Sequence, residues 1–87
     1  MSTAAEKRHM ARVAQLSCGL CGESPVEVHH IREGQGGAQR ASDFLTVPVC
    51  PSCHRGPKGI HGDRTMLRIK KWGEIDLLAD TLARLAA

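Results

Sequence analysis

The sequence predicts a small α+β domain: one β-hairpin, with a helix before it and helices after it. Three observations predict this. Two β-prone runs, residues 26–31 and 44–49, are separated by a glycine-rich stretch, the signature of paired strands around a long loop. Stretches with apolar residues at helical spacing flank them on both sides. Four cysteines fall as two Cys-x-x-Cys pairs, Cys18-Gly19-Leu20-Cys21 and Cys50-Pro51-Ser52-Cys53, at the two ends of the strand region.

Size argues for an added stabiliser. The chain has 87 residues, enough for one small domain spanning 1–87. Such a domain buries a modest fraction of its surface and is commonly helped by a metal or disulfides. Its aromatic side chains are Phe44 and Trp72 alone, with no Tyr. Disulfides would require an oxidising compartment. The first twelve residues carry neither an apolar run nor a cleavage signal, so a cytoplasmic chain is expected, and paired cysteines there read as a zinc site. No run approaches a membrane span. The formal charge of +3 admits an anionic partner but is too mild to demand one.

The elements follow in order. Residues 3–16 read as a helix that Ser2 or Thr3 can cap, with Glu6 in its first turn and Met10, Val13 and Ala14 as a narrow apolar stripe. Lys7, Arg8 and Arg12 form its basic side, for which solvation alone is a sufficient reading. Residues 17–62 hold the zinc-clamped hairpin and the segment beyond it. The first cysteine pair is a turn that Gly19 and Gly22 allow to curl. The strand at 26–31 leads into Gly34-Gln35-Gly36-Gly37, a loop with no apolar anchor. Pro48 puts the second strand at an edge or near its end. After the second cysteine pair, His54 can open a helix, but Gly56-Pro57 and Gly59 would interrupt it. Residues 63–86 are helical: Asp63 or Thr65 caps a short helix to Trp72, Gly73 breaks it, and a last helix runs from Glu74 to about Leu85. Ile75, Leu78, Leu82 and Leu85 stand at core-facing spacing on that helix.

Four thiolates make a closed tetrahedral zinc shell, and two knuckles of this spacing supply them. Cys18, Cys21, Cys50 and Cys53 are therefore expected to bind a structural zinc and to fix the base of the hairpin. The histidines suggest a second site. Of five, His29, His30, His54 and His61 lie around the hairpin. Two or three imidazoles on one divalent ion leave positions open for water and a phosphate oxygen, and a further imidazole can act as general base near neutral pH. Against this, neighbours on an ideal strand face opposite ways, so His29 and His30 can share a site only where the strand ends or distorts. His54 can alternatively replace a cysteine in the zinc shell. His9, among charges on the first helix, is expected to face solvent.

The order Cys-x-x-Cys, "VEVHHI", a glycine-rich stretch, "PVCPSCH" and a distal His resembles an HNH endonuclease of the ββα-metal (His-Me finger) type. More narrowly, "EKRHMARVAQLSCGLCG", "EVHHIREGQGGAQRASDFLTVPVCPSCHRGPKGIHGD" and "LLADTLARL" are similar to the Ref-like, RecA-dependent nucleases of phages and prophages, over nearly the whole chain. The resemblance implies a metal-dependent DNA endonuclease acting in phage or prophage recombination or DNA processing, in the cytoplasm of a bacterium or phage-infected host. His30 would activate the attacking water. His29, with His54 and His61, would ligate a catalytic divalent ion (Mg, Mn or Zn). Asp43 stands near the place of the family's asparagine, a departure whose role is either to hold His30 or to touch the metal. His54 and His61 are seven residues apart where many members use four, so the Gly56-Pro57-Lys58-Gly59 insert must reshape the segment. Arg32 and Arg40 are the candidates for holding the phosphate, with surface solubility as their alternative.

Arg64, Arg68 and Lys71 fall at one-face helical spacing and are candidate contacts to the DNA backbone, which carry affinity without sequence readout. Little sequence specificity is expected. DNA is the expected partner, a RecA filament enters with the resemblance, and no membrane is expected. Two other readings stand beside the nuclease: a non-catalytic zinc-ribbon module that binds DNA or a protein, and a redox protein using its Cys-x-x-Cys pairs.

Overall fold

Helix α1 (Ala4–Ala14) begins at a capping box. In the computed structural model, which describes residues 2–36 and 39–87, the Thr3 hydroxyl accepts the Glu6 N–H at 3.1 Å and the Glu6 carboxylate accepts the Thr3 N–H at 2.9 Å. Two of the helix's unsatisfied donors are thereby closed. The helix ends at Ala14, two residues short of expectation, and only Val13 of its apolar stripe is fully buried. His9 departs from the expected exposure. It is half-buried, its ring lies 5.3 Å from Phe44, and its Nε2 is buried without a partner among the described residues.

The hairpin forms as expected from its two β-prone runs. Strand β1 (Glu27–His30) pairs antiparallel with β2 (Thr46–Val49), placing His29 opposite Val47 and His30 opposite Thr46. Two four-residue strands are marginal alone, so the sheet depends on what covers it. All four residues of β2 are buried, and α1 and α4 pack on this strand. Its outer edge is met by the first knuckle: the Gly19 N–H donates to the Pro48 carbonyl at 3.0 Å. Pro48 offers no N–H of its own, and the knuckle uses the acceptor that remains. Gly37, the last residue of the expected glycine-rich loop, lies outside the described residues, as do Met1 and Ala38.

Helix α2 (Pro51–Arg55) starts inside the second cysteine pair, with Cys50 as its N-cap and Pro51 in its first turn. Proline suits that place because its missing N–H would be unpaired anyway. Helix α3 (Thr65–Lys70) follows, its start closed by Asp63, whose Oδ1 accepts the Thr65 N–H at 2.9 Å. Helix α4 (Glu74–Ala86) completes the chain. Asp76 accepts the Gly73 N–H at 2.9 Å at its start, and Arg12 donates to the Leu85 carbonyl at 2.7 Å at its end.

Two expectations about these helices are corrected. The buried face of α4 is Glu74, Leu77, Leu78 and Thr81, not the stripe through Ile75 and Leu82, which are 48% and 44% exposed. Leu78 belongs to both patterns. The helix is rotated because Leu77 enters the core with Leu20, Ile31, Val47, Val49, Ile60 and Leu67. Arg64, Arg68 and Lys71 do not share a continuous helical face. Arg64 and Lys71 flank α3 in left-handed conformation, with φ of 63° and 59°, which takes both off the helical spiral. No helix among the described residues is long and apolar enough to cross a membrane.

The rotation of α4 has a measurable consequence. Leu77→Ala, at a fully buried site, is expected to cost about 2–5 kcal/mol. Leu82→Ala, on the exposed side, is expected to change stability by no more than about 0.5 kcal/mol. Denaturant unfolding of the zinc-loaded chain checks the difference, and equal costs would favour the stripe read from the sequence.

Candidate active site

The four cysteines converge. Cys18 and Cys21 come from the knuckle before β1, Cys50 and Cys53 from the start of α2, and their sulfurs lie within 4.8 Å of one another. All four are free thiols; Cys18, Cys50 and Cys53 are buried and Cys21 is exposed. Gly22 lets the first knuckle turn back, with φ of 81° and its N–H on the Cys18 carbonyl at 2.9 Å. Cys21 Sγ and Cys50 Sγ are 3.5 Å apart, near the roughly 3.8 Å that tetrahedral Zn–S bonds of about 2.3 Å require. Burial pushes the Cys18 thiol up, but backbone N–H groups of Cys50, Cys21 and Leu20 outweigh it and bring it down to about 7. Burial and the neighbouring sulfurs push Cys53 up. Thiolates crowded this way oppose one another's ionisation, and a shared cation removes the conflict. The four can hold a structural metal ion such as zinc.

The histidines form a second cluster. His29, His54 and His61 each offer a ring nitrogen, and these atoms also lie within 4.8 Å of one another. His29 Nδ1 is 3.2 Å from His54 Nε2, and His61 Nε2 is 3.1 Å from the same atom. The hydrogen-bond partners on the far side of two rings fix their tautomers. His29 Nε2 lies 2.6 Å from Glu74 Oε2. Burial raises the Glu74 carboxyl, but the His29 bond and the backbone N–H groups of Arg32 and Glu33 outweigh it and hold it below the usual range. It is therefore a carboxylate, and His29 carries its proton on Nε2. His54 Nδ1 lies 2.8 Å from Glu27 Oε1, and Arg55 and His54 together bring the Glu27 carboxyl down to about 2. His54 thus carries its proton on Nδ1. In neutral rings, His29 Nδ1 and His54 Nε2 then present their lone pairs to each other. That arrangement suits a cation. Tetrahedral Zn–N bonds of about 2.0–2.1 Å put ligand nitrogens roughly 3.3 Å apart, close to both observed separations. Loss of water and the neighbouring imidazoles push the third ring, His61, down, toward the neutral form that binds metal.

The seven-residue gap between His54 and His61 has a backbone explanation. A continuing α2 would bond residue 57 to the Cys53 carbonyl, but residue 57 is proline and has no N–H. The chain bulges outward, and the bond is made three residues later: Ile60 N–H donates to the Cys53 carbonyl at 2.8 Å and His61 N–H to the His54 carbonyl at 3.1 Å. Gly59 makes the return possible, because a side chain there would have its Cβ 2.5 Å from the Cys53 carbonyl oxygen. His61 is thus delivered against His54 as if one helical turn away.

His30 stands apart from this cluster. Its Nε2 lies 2.6 Å from Asp43 Oδ1. Asp43 is buried and also accepts a hydrogen bond from the Ser2 hydroxyl, and the Ser2 and His30 bonds hold its carboxyl below the usual range. Asp43 is therefore ionised and makes the closest contact to His30 Nε2, so a neutral His30 with its proton there carries its lone pair on Nδ1. The adjacent residues of the doublet thus face different partners, as alternation on a strand requires. The Arg40 guanidinium lies 3.0 Å from His30 Nε2 and 3.5 Å from Asp43 Oδ1. Ser2, Glu6, Arg40, Ala41, Ser42 and Asp43 line a cavity of about 260 Å³ beside this pair.

The other candidate arginines, Arg32, Arg64 and Arg68, have partners within the fold. Arg32 donates to the Gln39 carbonyl at 2.8 Å, Arg64 lies 3.9 Å from Glu74, and Arg68 lies 3.9 Å from Asp63. Glu74 and Glu27 are not marked as site residues by any sequence motif. Glu74 reads in sequence as an ordinary acid in a helix's first turn. Glu27 carried the better signal, since it stands two residues before His29 on a strand, where same-face neighbours fall. Comparison with protein-family models, with curated proteins and with solved structures returns no match.

Separate roles for the two clusters predict separable losses. Cys53→Ser is expected to lose bound zinc and the folded far-ultraviolet circular dichroism spectrum. His54→Ala is expected to keep both, because half-buried His54 is no part of the apolar core. Zinc counting by mass spectrometry on both variants, each loaded with one equivalent of zinc, tests this, and loss of that equivalent from His54→Ala would place the imidazole in the thiolate shell.

Proposed function

We propose that this chain is a metal-dependent endonuclease of the ββα-metal (HNH) type that hydrolyses phosphodiester bonds in DNA. One observation carries the reading: the histidine doublet of β1 directs one ring into a three-imidazole cluster and fixes the other with a carboxylate. A hydrolytic site needs both a place for a divalent ion and a poised base. The order of motifs along the chain supports the same reading.

His29 through Nδ1, with His54 and His61 through Nε2, would hold the ion, which when bound supplies positive charge against the leaving 3′ oxygen. His30 accepts the proton of the attacking water at Nδ1. Asp43, on its Nε2, keeps that tautomer in place and stabilises the imidazolium that forms, as a carboxylate does for the histidine of a hydrolase triad. An asparagine would hold the ring with a weaker, uncharged acceptor. Arg40, whose side chain is 68% exposed, supplies a donor for a phosphate oxygen beside the base. Arg32, Arg64 and Arg68 contribute positive field rather than dedicated contacts, given their partners within the fold. Backbone-directed attraction of this kind fits an enzyme with little sequence specificity. A role in phage or prophage DNA processing, with a RecA filament as partner, belongs to the same reading and rests on the sequence resemblance alone.

The expected result is nicking of supercoiled plasmid in the presence of Mg²⁺, Mn²⁺ or Zn²⁺, tested with and without RecA filaments. His30→Ala should lower the rate by about 10²–10⁴-fold while zinc content and DNA binding are kept. A wild-type chain that never nicks under these conditions would overturn the nuclease and leave a zinc-stabilised binding module.

A further inference from the structure

We infer that Glu74 is a positioning residue for the imidazole cluster: it fixes His29 in the tautomer whose Nδ1 lone pair faces His54 and His61. The inference rests on the metal-site reading above and extends it to a residue 45 positions away on α4, which no motif marks.

Glu74 is 1% exposed. An ionised carboxylate is costly to bury unless its oxygens are fully engaged, and these are. Oε2 lies 2.6 Å from His29 Nε2. Oε1 accepts the N–H groups of Arg32 and Glu33 at 3.0 and 3.1 Å, and Arg64 lies 3.9 Å away. The two oxygens thus do different work. Oε1 ties α4 to the chain leaving β1, and Oε2 takes the imidazole proton. The first task alone does not require Oε2 to reach the ring. The reciprocal bond, from the Glu74 N–H to Glu33 Oε1 at 3.2 Å, closes the same junction without touching a histidine. Metal-binding histidines commonly donate their second nitrogen to a carboxylate, which sets ring orientation and tautomer. Glu27 plays the corresponding part for His54, but its carboxylate is shared with Arg55 at 2.6 and 2.9 Å.

The assignment predicts an unusual effect of a conservative change. In Glu74→Gln the single amide oxygen is held by the Arg32 and Glu33 N–H groups, so the amide nitrogen is turned toward His29 Nε2. An N–H donor there requires Nε2 to accept, which moves the ring proton to Nδ1 and blocks the lone pair that a cation would use. Glu33→Gln keeps an acceptor for the Glu74 N–H and leaves His29 alone, so it serves as the control for a purely structural role.

The test uses the full chain loaded with one equivalent of zinc. Long-range ¹H–¹⁵N spectra report which nitrogen of His29 is protonated, and titration calorimetry reports the affinity for a second equivalent of Zn²⁺. The expected result is Nε2–H in the wild type and Nδ1–H in Glu74→Gln. Second-ion affinity should fall by about 10–100-fold in Glu74→Gln and stay unchanged in Glu33→Gln. A wild-type His29 protonated on Nδ1 overturns the inference however the variants fold, as does a Glu74→Gln chain that binds the second ion as tightly as wild type. A wild type with His29 on Nε2 that binds no second ion overturns the metal-site reading and leaves the tautomer assignment standing.

Discussion

The convergence of the four cysteine sulfurs is the constraint on which the other structural features depend. The sheet is two strands of four residues, and the apolar core holds no aromatic ring among its fully buried members. A zinc bound by four thiolates contributes on the order of 10 kcal/mol at neutral pH, comparable with the entire stability of a typical domain. One ion held there would tie the knuckle before β1 to the start of α2 and set the base of the hairpin. It would also set the direction of α2, which carries Cys53 and His54 on successive residues. A thiolate ligand and an imidazole of the second cluster share one helical turn, so the geometry of the first site passes to the second without an intervening element.

The second cluster is held by charge rather than by apolar packing. Two carboxylates, Glu27 from β1 and Glu74 from α4, grip the far nitrogens of His54 and His29. A third, Asp43, does the same for His30. His29, His54 and His30 thus each have one ring nitrogen held by a carboxylate. Such contacts orient the rings, as carboxylates do for metal-binding and proton-transferring histidines.

Much of this was legible in the sequence because it depends on local rules. Cysteine spacing gives the knuckles, β-prone runs give the strands, and Thr3 with Glu6 gives the first helix. Strand alternation raised the right question about His29 and His30, and the structure answers it by sending the rings to different partners. What was not legible depends on contacts distant in sequence. Glu74 looks like any acid at a helix start until β1 is placed against it. The core face of α4 is set by how Leu77 meets the sheet, which periodicity alone does not choose when Ile75, Leu77, Leu78 and Leu82 are all apolar. The return of His61 to His54 depends on Pro57 lacking an N–H and Gly59 lacking a side chain, a conjunction that spacing rules do not contain.

The central claim is a division of labour: a closed thiolate site that builds the fold and an imidazole site left available for chemistry. Zinc-edge X-ray absorption on the full chain, at one and then two equivalents of zinc, tests it most directly. The expected result is a shell of sulfur alone at about 2.3 Å for the first equivalent, with nitrogen at about 2.0–2.1 Å appearing only with the second. A mixed sulfur and nitrogen shell at the first equivalent would contradict it, because the two sites would then be one.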